Sequence, residues 1–217
     1  MKSNSLKIIV IFFLALMKCD WNSGIAMQMS DSIQSIILQN VQTQYIVGHF
    51  TDKETSDTLR FQYSTDEGVE IKRIPSIEND WDSVIKWFCQ DYQINSFIAY
   101  DSDTLFFESA YNLFCFFNIG DVNLDGVDEF AIVVNWLDYS NINSCKIYSI
   151  CNHKFSLLKV FNIHEFAFMQ RGTQDTSFTG IKDYLEKEDG VWIFHEYLSD
   201  NKENKEMTVL QLEKCNK

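Results

Sequence analysis

The stretch from Gly120 to Phe130 constrains the fold most, because it places an oxygen-rich loop between two apolar runs of strand length. It reads GDVNLDGVDEF and is flanked by Asn112–Asn118 and Phe130–Trp136. Both runs are rich in aromatic or β-branched residues and lack the spacing of a helix with one apolar face. The sequence therefore predicts two strands joined by this loop.

Four oxygen-bearing side chains recur in register along the loop. They stand at its first, third, fifth and ninth positions: Asp121, Asn123, Asp125 and Glu129. Gly126 follows the third of them, where a chain that wraps an ion must turn sharply. A hard cation such as Ca²⁺ takes about six to eight oxygen ligands at roughly 2.3–2.6 Å. We predict a calcium site formed by these four side chains, with the Val127 carbonyl as a backbone ligand.

The loop departs from the EF-hand pattern, because its twelfth position is Ile132 instead of a bidentate Glu. A strand–DxNxDGxxE–strand arrangement resembles the FG-GAP repeats of integrin α-chains and bacterial surface proteins. The resemblance implies a bound calcium ion with these ligands: Asp121, Asn123, Asp125 and Glu129 through side chains and Val127 through its carbonyl. The alternative is a hairpin turn that binds no ion, since Asp, Asn and Gly also form turns on their own.

The amino terminus has the three parts of a secretory signal. Lys2 and Lys7 charge its start, and Ile8–Met17 is an unbroken run of ten apolar residues. Gly24–Ala26 then supplies the small residues that a signal peptidase reads. A run of this length is too short to span a bilayer, which needs about 20 apolar residues. We therefore predict a signal peptide over residues 1–26.

Cleavage there leaves residues 27–217, which we predict to be a single β-rich domain with its calcium loop at 120–130. A single Pro and the absence of a Ser/Gly-rich tract leave no evident linker. The domain is expected in the periplasm, in the cell envelope or secreted, with no transmembrane span after signal removal. A lipid anchor at Cys19 is the alternative, although Lys18 precedes it where a small residue is usual.

The chain is strongly acidic. Its formal charge is −13, and loss of residues 1–26 lowers the charge to −15 because that segment carries three lysines and one aspartate. Such a charge argues against nucleic acid and anionic membrane surfaces as partners. It favours cations or a basic protein, and it also keeps an exported protein soluble.

The cysteines that follow the predicted signal are odd in number: Cys89, Cys115, Cys145, Cys151 and Cys215. Export permits disulfides. Cys145 and Cys151 lie six residues apart in one predicted strand. An extended segment of that length covers about 20 Å, whereas paired cysteines have Cα atoms about 4.4–6.8 Å apart, so these two should not pair with each other. Cys115 stands among phenylalanines and is expected in the core.

Strand-like patterns dominate the remainder, and polar turns separate them. Besides the two runs beside the loop, the predicted strands are Gln44–Phe50, Thr58–Tyr63, Val69–Ile74, Phe97–Tyr100, Thr104–Ser109, Cys145–Ile150, Phe155–Phe161, Ile181–Lys187, Val191–Leu198 and Met207–Glu213. Two segments have helical spacing instead. One runs from Asp31 to about Gln42, and the other is capped by Asn79 or Asp80 and has this apolar face: Trp81, Val84, Ile85 and Phe88.

These elements predict a mainly β (α+β) fold. About twelve strands joined mostly by short turns favour a curled antiparallel sheet or sandwich with one or two packed helices. A closed propeller needs at least about sixteen strands, so the whole FG-GAP fold is not expected. Asp101-Ser102-Asp103 is interpreted as a tight hairpin turn, not as a second ion site.

The chain lacks the sequence signatures of common catalytic sites. It contains no GxSxG, HExxH, Walker A or GxGxxG motif. His164-Glu165 and His195-Glu196 are adjacent pairs, and neighbouring residues of a strand point to opposite faces. We predict a protein that is not an enzyme. A pair of carboxylates that meet in a cleft, as in glycosidases, is the alternative.

Two functions without catalysis fit these features. The first is an exported protein that binds another protein, with a basic cell-wall hydrolase as the most concrete partner. Export, size, acidity and the single loop resemble exported bacterial lysozyme-inhibitor proteins with such a calcium loop. The second is an FG-GAP-like surface module for adhesion or glycan binding. Its candidate sugar-stacking residues are Trp136, Tyr139, Trp192 and Tyr197.

Overall fold

The computed structural model describes residues 36–138, 140–169, 180–198 and 207–215. Within these ranges the chain is mainly β, as the sequence predicts, and it forms no closed barrel. The strands are β1 Leu38–Asn40, β2 Tyr45–Gly48, β3 Asp57–Ser64, β4 Arg73–Pro75, β5 Asn95–Tyr100, β6 Asp103–Phe106, β7 Asn112–Gly120, β8 Glu129–Asn135, β9 Ile142–Cys151, β10 Lys154–His164, β11 Leu185–Glu188, β12 Val191–Phe194 and β13 Thr208–Val209. Two short helices, α1 Trp81–Lys86 and α2 Phe166–Met169, accompany them, and a π-helical turn, Trp87–Asp91, continues α1.

Four antiparallel sheets organise these strands. A first sheet has the order β2-β3-β5-β6 and a second sheet the order β10-β9-β8-β7. A smaller third sheet has the order β11-β12-β13, and β1 pairs with β4. β3 alternates buried and exposed residues along its length, which is typical of a strand with one face on a core.

The second sheet lies in the middle, and its strand β8 is buried on both faces. Phe130, Ile132 and Val134 belong to a first core, which the first and second sheets enclose. Ala131 and Val133 point to the opposite face and belong to a second core, against the third sheet. This position explains why β8 reads as an unbroken apolar run instead of an alternating one.

Side chains connect the edges of the two large sheets. The Gln44 amide donates from Nε2 to the carbonyl of Leu113 at 2.7 Å and accepts from its N–H at 2.9 Å. On the opposite edge, the Phe155 N–H donates to Asp103 Oδ2 at 2.7 Å. These contacts join β7 to the start of β2, and β10 to β6, so that the two sheets curl around the first core.

The predicted helix from Asp31 to Gln42 is wrong over the part that is described. Residues 38–40 form β1, in which Gln39 lies opposite Ile74 of β4. Residues 31–35 lie outside the described residues. The apolar spacing there fits one face of a helix, but pairing with β4 satisfies the backbone while Leu38 packs against the first core. β4 is also shorter than the predicted strand Val69–Ile74 and includes Pro75.

The second helix prediction is confirmed. Asp80 is the N-cap of α1, and its Oδ1 accepts from the Ser83 N–H at 2.9 Å. Val84, Trp87 and Phe88 are buried in the first core, which agrees with an apolar face packed on a sheet.

Tight turns at two hairpins set the register around the site. Asp101 has φ +50° in the turn between β5 and β6, and Asn152 and His153 have φ +51° and +60° between β9 and β10. Asn, Asp and His tolerate this region better than β-branched residues do. The second turn places Cys151 at the end of β9, beside Val127 of the loop between β7 and β8.

The predicted signal peptide, its cleavage site after Ala26 and the alternative anchor at Cys19 all lie outside the described residues. Among the helices that are described, none is long and apolar enough to cross a membrane.

Candidate metal centre

The candidate site is the loop between β7 and β8. Gly120 lies opposite Glu129 in the last pair of the ladder, so the loop residues 121–128 close a β-hairpin. The Asp128 N–H donates to the His49 carbonyl at 2.8 Å, and Asp128 Oδ2 accepts from the His49 N–H at 2.9 Å. These two bonds fix the loop against the end of β2.

Three predicted ligands converge in the structure. Asp121, Asp125 and Glu129 each offer a carboxylate oxygen, and these oxygens lie within 4.8 Å of one another. The first two side chains are partly buried and Glu129 is fully buried. Three carboxylates at such separations repel one another unless a proton or a cation lies between them.

Backbone N–H groups hold the first three predicted side-chain ligands in place. Both Asp121 oxygens accept, from the N–H groups of Asp125 and Gly126, each at 3.0 Å. Asn123 Oδ1 accepts from the same Asp125 N–H at 2.9 Å, and Asp125 Oδ1 accepts from the Val127 N–H at 3.1 Å. The predicted ligand oxygens therefore face the inside of one tight turn, and Val127 is buried beside them.

Gly126 is required by this turn. Its φ is +100°, a conformation that other residues rarely adopt. A Cβ at this position would also lie 2.4 Å from Cε of Lys53, which crosses the loop here. The glycine that the sequence singled out thus serves both the backbone and the packing of the loop.

Glu129 has one paired and one unpaired carboxylate oxygen within the described part of the chain. Its Oε2 accepts from the N–H groups of Val122 at 2.8 Å and Asn123 at 3.3 Å. Among the described residues its Oε1 has no hydrogen-bond partner, although Glu129 is 0% exposed. Buried polar atoms are nearly always paired, because an unpaired one costs about 1–3 kcal/mol and more when it is charged.

Electrostatics at Glu129 agree with this geometry. Burial raises the pKa of its carboxyl to about 7, the N–H groups of Val122 and Asn123 oppose that rise, and the charges of Asp125 and Asp121 add to it. A cation among the three carboxylates would act in the opposite direction, because it favours the ionised form. The residues present therefore fit a hard divalent cation, which would give Glu129 Oε1 the partner it lacks.

No family model, curated protein or solved structure matches this chain. The function of the loop is therefore inferred from its own geometry and charge.

The carboxyl-terminal segment is a part of the site that the sequence did not indicate. Asn123 Nδ2 donates to the Glu213 carbonyl at 2.9 Å, and Lys214 Nζ donates to the Leu124 carbonyl at 3.0 Å. The Cys215 N–H donates to Asp125 Oδ2 at 3.0 Å. These contacts join residues about 90 positions apart, and no local pattern near residue 213 announces them.

One disulfide fixes the position of this segment. Cys215 is bonded to Cys151, with Cα atoms 5.5 Å apart. The expectation that Cys145 and Cys151 do not pair with each other is confirmed, and Cys115 lies in the core as predicted. The odd number of cysteines left the disulfide pairing open. The sequence alone therefore did not show that Cys215 lies beside the loop.

The four aromatic residues proposed for sugar stacking do not form one exposed platform in the described part of the chain. Trp192 is buried in the second core, and its Nε1–H donates to the Ile119 carbonyl at 2.7 Å. Trp136 packs partly buried against the first core. Tyr197 packs edge-on against the His164 ring at 5.1 Å, and Tyr139 lies outside the described residues.

Proposed function

We propose that this chain is an exported, non-catalytic calcium-binding protein. The ion would be held by these ligands: Asp121, Asn123, Asp125 and Glu129 through side chains and Val127 through its carbonyl. The observation that carries the proposal is the buried Glu129 Oε1, which finds no hydrogen-bond partner in the part of the chain that the structure describes and belongs to a group of three carboxylates. The same loop supports the resemblance to FG-GAP repeats.

Calcium suits this ligand set better than magnesium does. Mg²⁺ keeps several waters and is usually held by one or two carboxylates in a near-ideal octahedron at about 2.0–2.1 Å. Ca²⁺ accepts more ligands, a longer distance of about 2.3–2.6 Å and irregular geometry. A short loop that supplies three carboxylates, one amide oxygen and one carbonyl fits the second description.

The ion would stabilise the fold by linking parts of the chain that are distant in sequence. Its ligands lie in the loop after β7 and at the first residue of β8, and two of them, Asn123 and Asp125, contact residues 213–215. An unfolded chain does not hold these oxygens together, so the binding free energy adds to the free energy of unfolding.

We further propose that the calcium-bound domain binds another protein of the cell envelope, a basic cell-wall hydrolase, and blocks its activity. The support is the formal charge of −13, which loss of residues 1–26 would lower to −15. An acidic surface attracts a basic partner over distances of about a Debye length and speeds their encounter. The burial of Trp192 removes one of the aromatics on which the adhesion and glycan-binding alternative relies.

A test of this partner measures hydrolysis of purified cell wall by basic muramidases and amidases, with and without the calcium-loaded chain. We expect inhibition at a stoichiometric dose and slower association as salt rises, because charge chiefly sets the association rate. The inhibition should weaken when a chelator removes the bound calcium ion.

A glycan array run on the same sample separates the alternatives. Binding to glycans without inhibition of any hydrolase would overturn the partner proposal in favour of adhesion. Degradation of the wall by the chain alone would also overturn the proposal that the protein is not an enzyme.

A further inference from the structure

Three consecutive residues near the carboxyl terminus, Glu213–Cys215, contact three consecutive residues of the loop, 123–125. We call Glu213–Cys215 the latch. Its contacts are the hydrogen bonds already given, of 2.9, 3.0 and 3.0 Å. Two of them involve predicted calcium ligands, and the third holds the Leu124 carbonyl between those ligands.

The latch orients the two ligands in the middle of the loop. The Glu213 carbonyl accepts a hydrogen bond from Asn123 Nδ2. Oδ1 of the same amide therefore faces the loop interior, where it accepts from the Asp125 N–H. The Cys215 N–H donates to Asp125 Oδ2, while the Val127 N–H donates to Oδ1 of the same carboxylate. Asn123 is only 6% exposed, so water gives little replacement for a lost latch contact.

The latch is fastened at both ends. On one side Leu210 is buried in the second core and follows β13, which pairs with β12. On the other side the Cys151–Cys215 disulfide ties the latch to the end of β9. Without that bond, the latch would keep its three hydrogen bonds to the loop and the contact of Cys215 Sγ with Ser149 Oγ, but it would gain conformational freedom.

The Cys151–Cys215 disulfide borders a cavity beside the loop. The cavity has a volume of about 210 Å³, and its lining includes Cys151, Cys215, Val127 and His153. Both cysteines are partly exposed. Exposure is one of the features that distinguish labile disulfides from inert structural ones. Val127 also connects this cavity to the metal loop, since its carbonyl is a predicted ligand.

We propose that the Cys151–Cys215 disulfide controls the calcium affinity of the loop through the latch. This inference rests on the proposed calcium binding. With the disulfide closed, the latch holds Asn123 and Asp125 in the geometry that binds the ion. A dithiol reductant that opens the disulfide releases the latch and weakens calcium binding.

The redox step is an ordinary thiol–disulfide exchange. A thiolate of the reductant attacks one cysteine sulfur, the S–S bond breaks, and a mixed disulfide forms. The second thiol of the reductant resolves it, so that the protein gains two electrons and two protons and the reductant leaves as its own disulfide. Because the two equilibria share one free energy of coupling, calcium must make the disulfide harder to reduce by the same factor.

The first measurement is a calcium titration of the purified chain in its oxidised form, in its dithiothreitol-reduced form and as the Cys151→Ser/Cys215→Ser variant. We expect the dissociation constant to rise at least tenfold in both forms without the disulfide. Lys214→Met keeps the disulfide but removes one latch contact, so it should weaken binding by a smaller factor. Lys86→Met on α1 loses the same charge outside the latch and should bind as the wild type does.

A second measurement does not depend on the folding of a variant. The wild-type chain is equilibrated in a series of dithiothreitol redox buffers, with calcium or with chelator, and the thiols of Cys151 and Cys215 are counted by alkylation and mass spectrometry. Saturating calcium should lower the equilibrium constant for reduction at least tenfold.

The outcomes separate the two proposals. Tight calcium binding that is the same in oxidised and reduced chain, together with reduction that ignores calcium, would overturn the control by the disulfide and leave the calcium proposal intact. An oxidised chain that binds no calcium would overturn both.

Discussion

Replacement of Glu129 with Gln is expected to abolish the calcium-dependent stabilisation of the protein without lowering its stability in chelator. The glutamine keeps an oxygen for the N–H groups of Val122 and Asn123, which Glu129 Oε2 accepts in the wild type. Its NH₂ replaces Oε1, the unpaired oxygen, and can donate to the neighbouring carboxylates. It therefore relieves the repulsion without the ion and leaves no oxygen at the Oε1 position to bind it.

Thermal or urea unfolding in excess calcium and in chelator measures both halves of this prediction. The wild type should gain about 2.7 kcal/mol when calcium is at about a hundred times its Kd, whereas Glu129→Gln should gain almost nothing. In chelator the variant should equal or exceed the wild type. A variant that still responds fully to calcium would show that Glu129 is not a ligand.

The matched control is Glu67→Gln, which removes the same charge from an exposed turn. That turn follows the last residue of β3. The first residue of β3, Asp57, lies opposite Gly48, and the neighbouring His49 donates to Asp128 of the loop. The length of β3 therefore separates Glu67 from the loop by roughly 23 Å, at about 3.3 Å per residue. The control should keep the full response to calcium.

Replacement of Phe130 with Ala is expected to cause a large loss of stability. Phe130 follows Glu129 in β8, is 0% exposed and lies in the first core among these rings: Phe50, Phe116, Tyr148 and Phe155, with centroids 5.7–6.2 Å away. Truncation would remove these contacts and leave a cavity, a change that costs about 3–5 kcal/mol. Because β8 carries Glu129, the loop should lose calcium affinity too.

Equilibrium unfolding in urea measures the cost, with Phe106→Ala as the control. Phe106 lies on the edge strand β6 and is 65% exposed, so its truncation should cost less than about 1 kcal/mol. For a domain of this size, the Phe130 variant should melt roughly 6–20 °C lower. Equal losses in the two variants would contradict the central position of β8.

The parts of the fold that the sequence predicted best are those set by local chemistry. Asp101 and Asn152 adopt positive φ in short turns, so the hairpins around them follow from residues that tolerate this conformation. The N-cap Asp80 marked the start of α1 in the same way. The spacing of the predicted ligands in the loop is also local, and the structure brings three of their carboxylates together.

The parts that the sequence did not predict depend on distant contacts. Leu38 to Asn40 have the apolar spacing of a helix segment, but pairing with a strand some 35 residues away makes them β1. The latch reaches the loop across about 90 residues, and the Cys151–Cys215 bond spans 64. Trp192 looked suitable for sugar stacking, yet the third sheet places it in a core. Periodicity reports one face of an element and not what covers that face.

Isothermal titration of Ca²⁺ into the oxidised, chelator-stripped chain, with Glu129→Gln titrated in parallel, measures calcium binding by the loop itself. Calcium binding by the loop predicts one saturable site per wild-type chain, much weaker binding of Mg²⁺ at the same site, and no measurable calcium binding by the variant. A wild-type chain that takes up no calcium, and whose melting is the same in calcium and in chelator, would contradict it.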